Sequence, residues 1–367
     1  FTSGTTSQSK GVMLRNRNIA MDIVALAKVE KFKVGSRLLS ILPLHHTFEN
    51  TCGLVYPLYM GGCICVCDGL RYIQQNMEEY KINMMIGVPT LFESFYKKVI
   101  DSINKQKKMK TIRVMIKITR ALRRVKIDLR RVVFKKIHKA FGGEFKIGIC
   151  GAAPIDPEII TFFDDIGVHI LQGYGLTETS PVIAGCNYKV FVPGTVGLPL
   201  GNMSIAIDTD IDGQEGEILA KGPVIMQGYY QDPEATAAVF DKDGWFHTGD
   251  VGVIDPESGC IKITGRLKSM IVLKSGKKVF PEEIEQLIMR YPFIKESMVF
   301  GDSEQDGDVT ISAKFVLDPQ ILSREGISEE ELVARLDQVV KEINLQMPGF
   351  KSIRNYVYSF QELIKTT

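Results

Sequence analysis

Thr2-Ser3-Gly4-Thr5-Thr6-Ser7-Gln8-Ser9-Lys10-Gly11 sets consecutive hydroxyls and glycines ahead of a lysine. Amides, hydroxyls and an ammonium on a flexible loop are suited to embracing phosphates. This is not a Walker A loop, which needs Gly before the lysine and Ser or Thr after it; Ser9 and Gly11 stand here. Alone, the run reads equally as a Ser/Thr linker. Farther along, Gln172-Gly173-Tyr174-Gly175-Leu176-Thr177-Glu178-Thr179-Ser180 fails as a dinucleotide fingerprint because Glu178 takes the place of the third glycine. It offers instead an aromatic with a polar tip, a hydroxyl and a carboxylate within five residues. Tyr174 can stack on a base, Thr177 can bind phosphate, and Glu178 is a hard oxygen ligand suited to Mg²⁺. Gly151-Ala152-Ala153-Pro154 closes another strand pattern with small residues, where a flat ligand can approach the backbone. Trp245-Phe246-His247-Thr248-Gly249-Asp250 presents one carboxylate on a turn, suited to a ribose diol.

The elements that must position these groups follow from pattern. Residues 36 to 170 alternate short apolar runs with helical spacing, the signature of an α/β layer. Strands are expected over Leu38–Leu42, Cys63–Cys67, Met84–Val88, Phe145–Cys150 and Val168–Gln172, with helices over Ile19–Val29, Ile73–Tyr80 and Thr90–Ile103. From about Gly194 to Ile263 short alternating strands broken by glycines predict a small β-rich unit, including Ser204–Ile207, Glu217–Lys221 and Gly252–Ile254. Beyond Gly265-Arg266-Leu267-Lys268 the order resets: helix Pro281–Arg290, strands Glu296–Phe300 and Thr310–Val316, helix Ser328–Leu345 and strand Tyr356–Tyr358. The expected fold class is therefore α/β: a large α/β part of several subdomains with a small β-rich unit, then a small α+β C-terminal domain.

The 367 residues, 45% hydrophobic and 24% charged, suit two or three globular domains and exclude a disordered or fibrous chain. The uncharged run Asn50–Cys67 contains Pro57 and Gly61-Gly62, so it reads as a buried helix, a turn and a strand rather than a membrane span. Cys63, Cys65 and Cys67 alternate on one strand face, which is not zinc-ligand spacing; with Cys52, Cys150, Cys186 and Cys260 they read as reduced thiols of a cytosolic compartment. The net charge of +2 conceals an asymmetry: Lys97–Lys139 holds 17 Lys or Arg and two acids, leaving −13 on the rest. Val114, Ile118, Leu122 and Val125, then Leu129, Val132 and Val133, give this segment a basic amphipathic pattern. It reads either as solvated helices or as a patch facing an anionic membrane; with only Phe134 and Phe141 interleaved, it makes a poor nucleic-acid platform, and no nucleic-acid partner is expected.

With these motifs in view the sequence resembles the adenylate-forming enzymes, the superfamily of acyl-CoA synthetases, firefly luciferase and peptide-synthetase adenylation domains. Six motifs stand in the family's order: the hydroxyl-rich loop, Leu42-Pro43-Leu44-His45-His46, Gly151-Ala152-Ala153-Pro154, Tyr174-Gly175-Leu176-Thr177-Glu178, Thr248-Gly249-Asp250 and Gly265-Arg266-Leu267-Lys268. The resemblance implies that Thr2, Ser3, Gly4, Thr5, Thr6 and Lys10 grip the β- and γ-phosphates of ATP. It places Tyr174 and Gly175 with Gly151, Ala152 and Ala153 at adenine, Thr177 at the α-phosphate and Mg²⁺ on Glu178. Asp250 would take the ribose hydroxyls, Arg266 would fix the nucleotide, Lys268 would be the hinge, and His46 would sit by the acyl pocket; His45, His138, His169 and His247 are left structural or exposed. Ser7 and Ser9 depart from the family's usual Gly and Pro. The implied domains are 1–267, an adenylation domain without its N-terminal portion, and 268–367, a mobile C-terminal domain. Leu363-Ile364-Lys365-Thr366-Thr367 looks like the opening of the segment that bears the family's catalytic lysine, and Lys365 is not assigned that role.

The implied reaction activates a carboxylate with ATP as an acyl-adenylate, releasing pyrophosphate, and then passes the acyl group to coenzyme A, releasing AMP. Leu42-Pro43-Leu44-His45-His46-Thr47-Phe48-Glu49 and the basic insertion resemble the long-chain fatty acid–CoA ligases. Two alternatives stay open: an aryl- or amino-acid-adenylating enzyme loading a carrier-protein thiol, and a non-catalytic nucleotide- or membrane-binding module. The expected setting is cytoplasmic, with peripheral contact at a membrane through Lys97–Lys139.

Overall fold

Short apolar runs build the central sheet of the computed structural model, which describes residues 1–2, 9–29, 33–209, 211, 213–303, 309–326 and 328–363. Strands β1 (Arg37–Ser40), β2 (Cys63–Val66), β3 (Met84–Gly87), β4 (Ile147–Cys150) and β5 (His169–Gly175) are parallel, and β6 (Val182–Gly185) and β7 (Leu198–Pro199) extend the sheet antiparallel. The order is β2-β1-β3-β4-β5-β6-β7. Both faces are covered, as a parallel sheet requires. Alternate residues feed opposite cores: Leu39 and Met85 join a cluster with Phe92, Phe95 and Phe163, while Leu38, Met84 and Ile86 join one with Ile23, Cys52 and Tyr56. The chain doubles back between β1 and β3, and in such sheets ligands lie outside the carboxyl ends of the strands at that switch point.

The expected strands and helices of this part are present with ends shifted by a few residues. The helix at Asn16–Val29 starts three residues earlier than expected, and Phe246–Ile254 is one long strand, β10, where only its last three residues were expected. The Pro157–Ile166 helix was not anticipated, although its signals are local: Asp156 Oδ1 accepts from Glu158 N at 2.8 Å, Pro157 opens the helix, and Gly167 closes it at φ +87°. The run Asn50–Cys67 folds as read, helix then turn then strand, except that its first turns form a π-helix over Phe48–Val55.

The basic segment carries two apolar stripes. In the Met109–Arg124 helix Ile112, Met115 and Ile116 pack on the core and Thr119 is buried, whereas Val114 and Ile118, and Val125 just past the helix end, are 57%, 54% and 65% exposed. Ion pairs accompany this packing. Arg120 makes a two-point bridge to Asp165 at 2.6 Å, and Arg123 and Arg130 bond Asp164 at 2.6 and 3.0 Å. Arg131 donates to the carbonyls of Phe145 and Gly143 at 2.8 and 2.7 Å. Lys110, Arg113, Lys117 and Arg124 are exposed and make no ion pair among the described residues. No described helix is long and apolar enough to cross a membrane.

Strands β8 (Ser204–Asp208), β9 (Gly216–Lys221), β10 and β11 (Ile261–Arg266) form a four-stranded sheet in the order β11-β10-β9-β8, and β12 (Ile271–Val272) pairs β13 (Lys278–Val279). By contact density the chain divides into one unit of 1–214, 218–248 and 253–262 and a second of 215–217, 249–252 and 263–367. The second has its own core of Phe293, Phe315, Leu336 and Ile343. Its sheet is β14 (Ile294–Ser303), β15 (Val309–Leu317) and β16 (Asn355–Ser359), and its Glu329–Asn344 helix opens on a Ser328/Glu331 capping box.

Candidate active site

The chain returns repeatedly to one region of the first unit. Thr2 N donates to Lys10 O at 3.0 Å, closing the hydroxyl-rich loop at its base; Ser3, Gly4, Thr5 and Thr6 lie outside the described residues, as does Lys365. Just past the loop, Gly11 to Met13 pair with Gln227 to Tyr230: Tyr230 N donates to Gly11 O at 2.7 Å, Met13 N to Gly228 O at 3.0 Å and Gln227 N to Met13 O at 3.0 Å. Tyr229 is 7% exposed. Its ring lies 4.8 Å from Lys10 Nζ and its hydroxyl donates to Glu178 Oε1 at 2.9 Å. Burial and the neighbouring Glu178 carboxylate push this phenol well above its ordinary range, so it remains a donor at any working pH.

Glu178 lies in a single 3₁₀ turn, Thr177–Thr179, at the end of β5. The turn is locked from several sides. Leu176 N donates to Thr179 Oγ1 at 2.8 Å, Met226 N to Glu178 O at 2.8 Å, Ser180 Oγ to Val224 O at 2.7 Å and Thr51 Oγ1 to Ser180 O at 3.0 Å. No group of three or more His, Cys, Asp or Glu is arranged for a metal ion among the described residues. One partly exposed carboxylate has the chemistry of a Mg²⁺ ligand, since that ion keeps waters and takes one or two protein oxygens.

A cavity of about 370 Å³ opens beside this turn. His46, Gly151, Ala152, Tyr174, Gly175 and Thr177 line it, beyond the carboxyl ends of β1, β4 and β5. Ala153 is exposed and does not line it. At Gly151 a Cβ would come within 3.0 Å of the Phe48 ring, so the floor stays open only with the small residue. Much of the remaining wall is apolar: Leu26 and Val29 from the first helix, Cys52 of the π-helix, Tyr56 after it and Val88 after β3. These five residues gave no chemical signal in the sequence, since their side chains are ordinary apolar ones whose convergence is a property of the fold.

Behind that wall Asp22 is buried, with Oδ2 accepting from Val182 N at 3.2 Å and Oδ1 unpartnered. Burial raises its carboxyl well above the usual carboxylate range, against the bond from Val182. A raised folded-state value means the native chain holds a proton that the unfolded chain loses near pH 4. Its contribution is complete below that pH and is eroded as pH rises, by at most about 1.4 kcal/mol per pH unit. Asp22→Asn keeps an acceptor for Val182 N and removes the titration. Thermal unfolding of the variant between pH 5 and 8 is expected to give a flatter dependence of Tm on pH; an unaltered slope would show Asp22 to be ionised.

Asp250, Arg266 and Lys268 belong to the second unit. Asp250 is buried and its Oδ1 lies 2.9 Å from Arg266 Nε; Gly249, at φ +74°, donates its N–H to Glu217 Oε1 at 2.8 Å. Lys268 is exposed, next to Gly265, where a Cβ would come within 2.6 Å of Phe280.

Residues 1–230 match the AMP-binding enzyme family and residues 268–364 match the AMP-binding enzyme C-terminal domain. A long-chain-fatty-acid–[acyl-carrier-protein] ligase of Arabidopsis thaliana is 31% identical over 371 residues, covering 86% of this chain and 50% of the relative. Human long-chain-fatty-acid–CoA ligase 1 is 32% identical over 336 residues, covering 83% and 46%. The crystal structure of ATP-bound MatB from Rhodopseudomonas palustris superposes with a TM-score of 0.75 at 27% identity, over 98% of this chain and 63% of that one. The chain spans about half the length of the curated relatives it matches. With its first 230 residues matched to one family and the following domain matched to that family's C-terminal partner, the chain belongs to the AMP-binding enzymes.

Proposed function

We propose that the protein is an acid–thiol ligase: it activates a long-chain carboxylic acid with ATP as an acyl-adenylate and transfers the acyl group to coenzyme A. The observation that carries this is the apolar cavity that opens at Gly151, Ala152 and the Tyr174–Thr177 segment. An adenosine held at those residues would direct its α-phosphate toward the mouth of a greasy pocket, where the head of a fatty acid emerges. The carboxylate oxygen attacks the α-phosphorus in line and the bond to the bridging oxygen of pyrophosphate breaks; in the second half, thiol sulfur attacks the acyl carbon and AMP leaves.

Attack brings two anions together, so the site has to supply cations and alignment. Lys10 reaches the β- and γ-phosphates with Thr2 and the loop Ser3, Gly4, Thr5 and Thr6, and Thr177 donates to the α-phosphate. Glu178 would hold Mg²⁺, which would supply charge neutralisation at the phosphates. Tyr174, Gly175, Gly151 and Ala152 bound the adenine and His46 stands at the mouth of the acyl pocket, while Ala153, exposed outside the cavity, is left out of that set. In the second unit Asp250, its carboxylate pinned by Arg266, is assigned the ribose diol. Lys268, where the domain of 268–367 begins, serves as the hinge. Coenzyme A is the preferred acceptor; the Arabidopsis relative, a carrier-protein ligase by name, favours a carrier-protein thiol as the second reading.

Pyrophosphate release by the full-length protein across carboxylates from acetate to palmitate tests the reading. Each buried CH₂ contributes about 0.8 kcal/mol, so specificity should climb roughly fourfold per methylene until the cavity is full. Equal turnover of acetate and palmitate overturns it.

The same reading places the protein in a reducing, cytosolic setting that its seven free thiols fit, in peripheral contact with an anionic membrane. Exposed Val114, Ile118, Val125 and Val132 stand among uncompensated cations, as on an interfacial helix. Exchanging Lys110, Arg113, Lys117 and Arg124 for Gln should weaken binding to anionic vesicles by about 1 kcal/mol per charge. Adenylation of a short soluble acid should be unchanged. Arg120, Arg123 and Arg130 are unsuitable targets because their Asp partners would be left unpaired. Vesicle binding that ignores all four exchanges would leave the helix a solvated face.

A further inference from the structure

We propose that Tyr229 is a positioning residue that holds Glu178 and Lys10 apart at one phosphate site, aiming the carboxylate with its hydroxyl and the ammonium with its ring. The inference rests on the assignment of Glu178 and Lys10 to metal and phosphate given above. A lysine and a glutamate brought to the same small site are prone to pair with each other, and each would then be neutralised before a ligand arrived. No ion pair between Lys10 and Glu178 occurs among the described residues. Tyr229 stands between them: Lys10 Nζ is 4.8 Å from the ring centroid, and the hydroxyl is 2.9 Å from Glu178 Oε1. A cation over an aromatic face is held without surrendering its charge. A carboxylate that accepts from a neutral phenol likewise keeps its charge, with one oxygen engaged and Oε2 left for a hard cation.

The spacer is itself fixed. Tyr229 N donates to Thr236 Oγ1 at 2.9 Å, and Gly228 and Tyr230 pair with Met13 and Gly11 on either side. The last of these pairings begins one residue beyond Lys10, so the segment that carries the ring is tied to the segment that carries the ammonium. At Gly228, with φ +144°, a Cβ would come within 2.7 Å of Thr236, so the approach that seats Tyr229 needs glycine. Met226 N also bonds Glu178 O at 2.8 Å, which ties the carboxylate's own turn to the same segment. Nothing in the linear sequence marked Tyr229, because 51 residues separate it from Glu178.

Manganese serves as the probe, since its electron paramagnetic resonance reports metal binding without turnover. Mn²⁺ affinity in the presence of ATP is measured on the full-length protein, on Tyr229→Phe, on Glu178→Gln and on the double variant. Loss of one hydrogen bond to a charged group should make Mn²⁺ binding by Tyr229→Phe about tenfold weaker. In the Glu178→Gln background the same change should add little, because Tyr229 acts on the metal through Glu178. Metal-free ATP binding should be unchanged in Tyr229→Phe, which keeps the ring, and should fall in Tyr229→Leu about as far as in Lys10→Met. If Glu178→Gln leaves Mn²⁺ affinity intact, the metal assignment itself is wrong. If Glu178→Gln weakens it while Tyr229→Phe does not, or if the two changes add in full, the assignment stands and the role of Tyr229 is overturned.

Discussion

Glu178→Gln in the full-length protein is expected to lower adenylation by on the order of 10²-fold or more, the range seen when a single transition-state electrostatic contact is removed. The substitution is nearly isosteric. Gln keeps an oxygen for the Tyr229 hydroxyl, now 2.9 Å away, and the backbone bond from Met226 N to residue 178 is untouched. What disappears is the negative charge that a hard cation requires. Folding should therefore change little, and thermal unfolding of the variant checks this. Raised Mg²⁺ should recover part of the rate, because weaker binding is compensated by concentration. Thioester formation from supplied acyl-adenylate involves no departing pyrophosphate and should be much less affected. Adenylation at the normal rate by a well-folded Glu178→Gln protein would remove Glu178 from the metal site and leave it as a structural acid of the turn.

The contrast between Glu178 and Tyr229 shows which parts of this protein were legible from residues alone. Glu178, Thr177 and Tyr174 stand within five positions, so their chemistry could be read before any fold was known. The parallel strands were legible for a similar reason: a fully buried run such as Met84–Gly87 must be apolar throughout, and its neighbours follow at regular intervals. Tyr229, Leu26 and Tyr56 reach the site only through tertiary pairing, and nothing in their spacing announces it. The basic helix was legible only in part. Val114, Ile118 and Leu122 have helical spacing, and Val114 and Ile118 are exposed, while the helix packs Ile112, Met115 and Ile116 on the core. Periodicity located an apolar stripe and could not say which of two stripes faces inward. Two acids some forty residues downstream, Asp164 and Asp165, bond Arg123 and Arg120 of this helix.

Those acids also separate two kinds of arginine that look alike in sequence. Arg130 is buried against Asp128 and Asp164, so it belongs to the fold, while Arg124 is exposed and belongs to the surface. A buried pair is strongly destabilised by removing one partner, whereas an exposed charge is worth little to stability. The proposed membrane contact of the segment therefore rests on its unpaired cations and exposed valines rather than on its total charge.

Gly175→Ala is the second change expected to have a large effect, for steric rather than electrostatic reasons. Gly175 ends β5, where the register with β6 shifts, immediately before the turn that carries Thr177 and Glu178. A Cβ built there would lie 1.7 Å from Pro181 O and 3.0 Å from Thr179 Oγ1. Neither neighbour can move cheaply: Pro181 O accepts from Leu176 N at 3.0 Å and from the Thr179 hydroxyl, which also receives Leu176 N. Relief thus means displacing the turn, at the upper end of overpacking costs, about 3 kcal/mol. For a unit of this size each kcal/mol moves Tm by about 2–4 °C, so a loss of roughly 6–12 °C is expected. Nucleotide binding should fall with it, since the displaced turn holds both the hydroxyl and the carboxylate. Gly173→Ala is the matched control two residues upstream on the same strand: its Cβ would meet only Ala184 O, at 3.7 Å, an ordinary contact. That variant should unfold within about 2 °C of the parent and bind nucleotide normally. A tolerated Gly175→Ala would show that the turn is not held as tightly as its hydrogen bonds indicate, and a disabled Gly173→Ala would show that the loss is not specific to the turn.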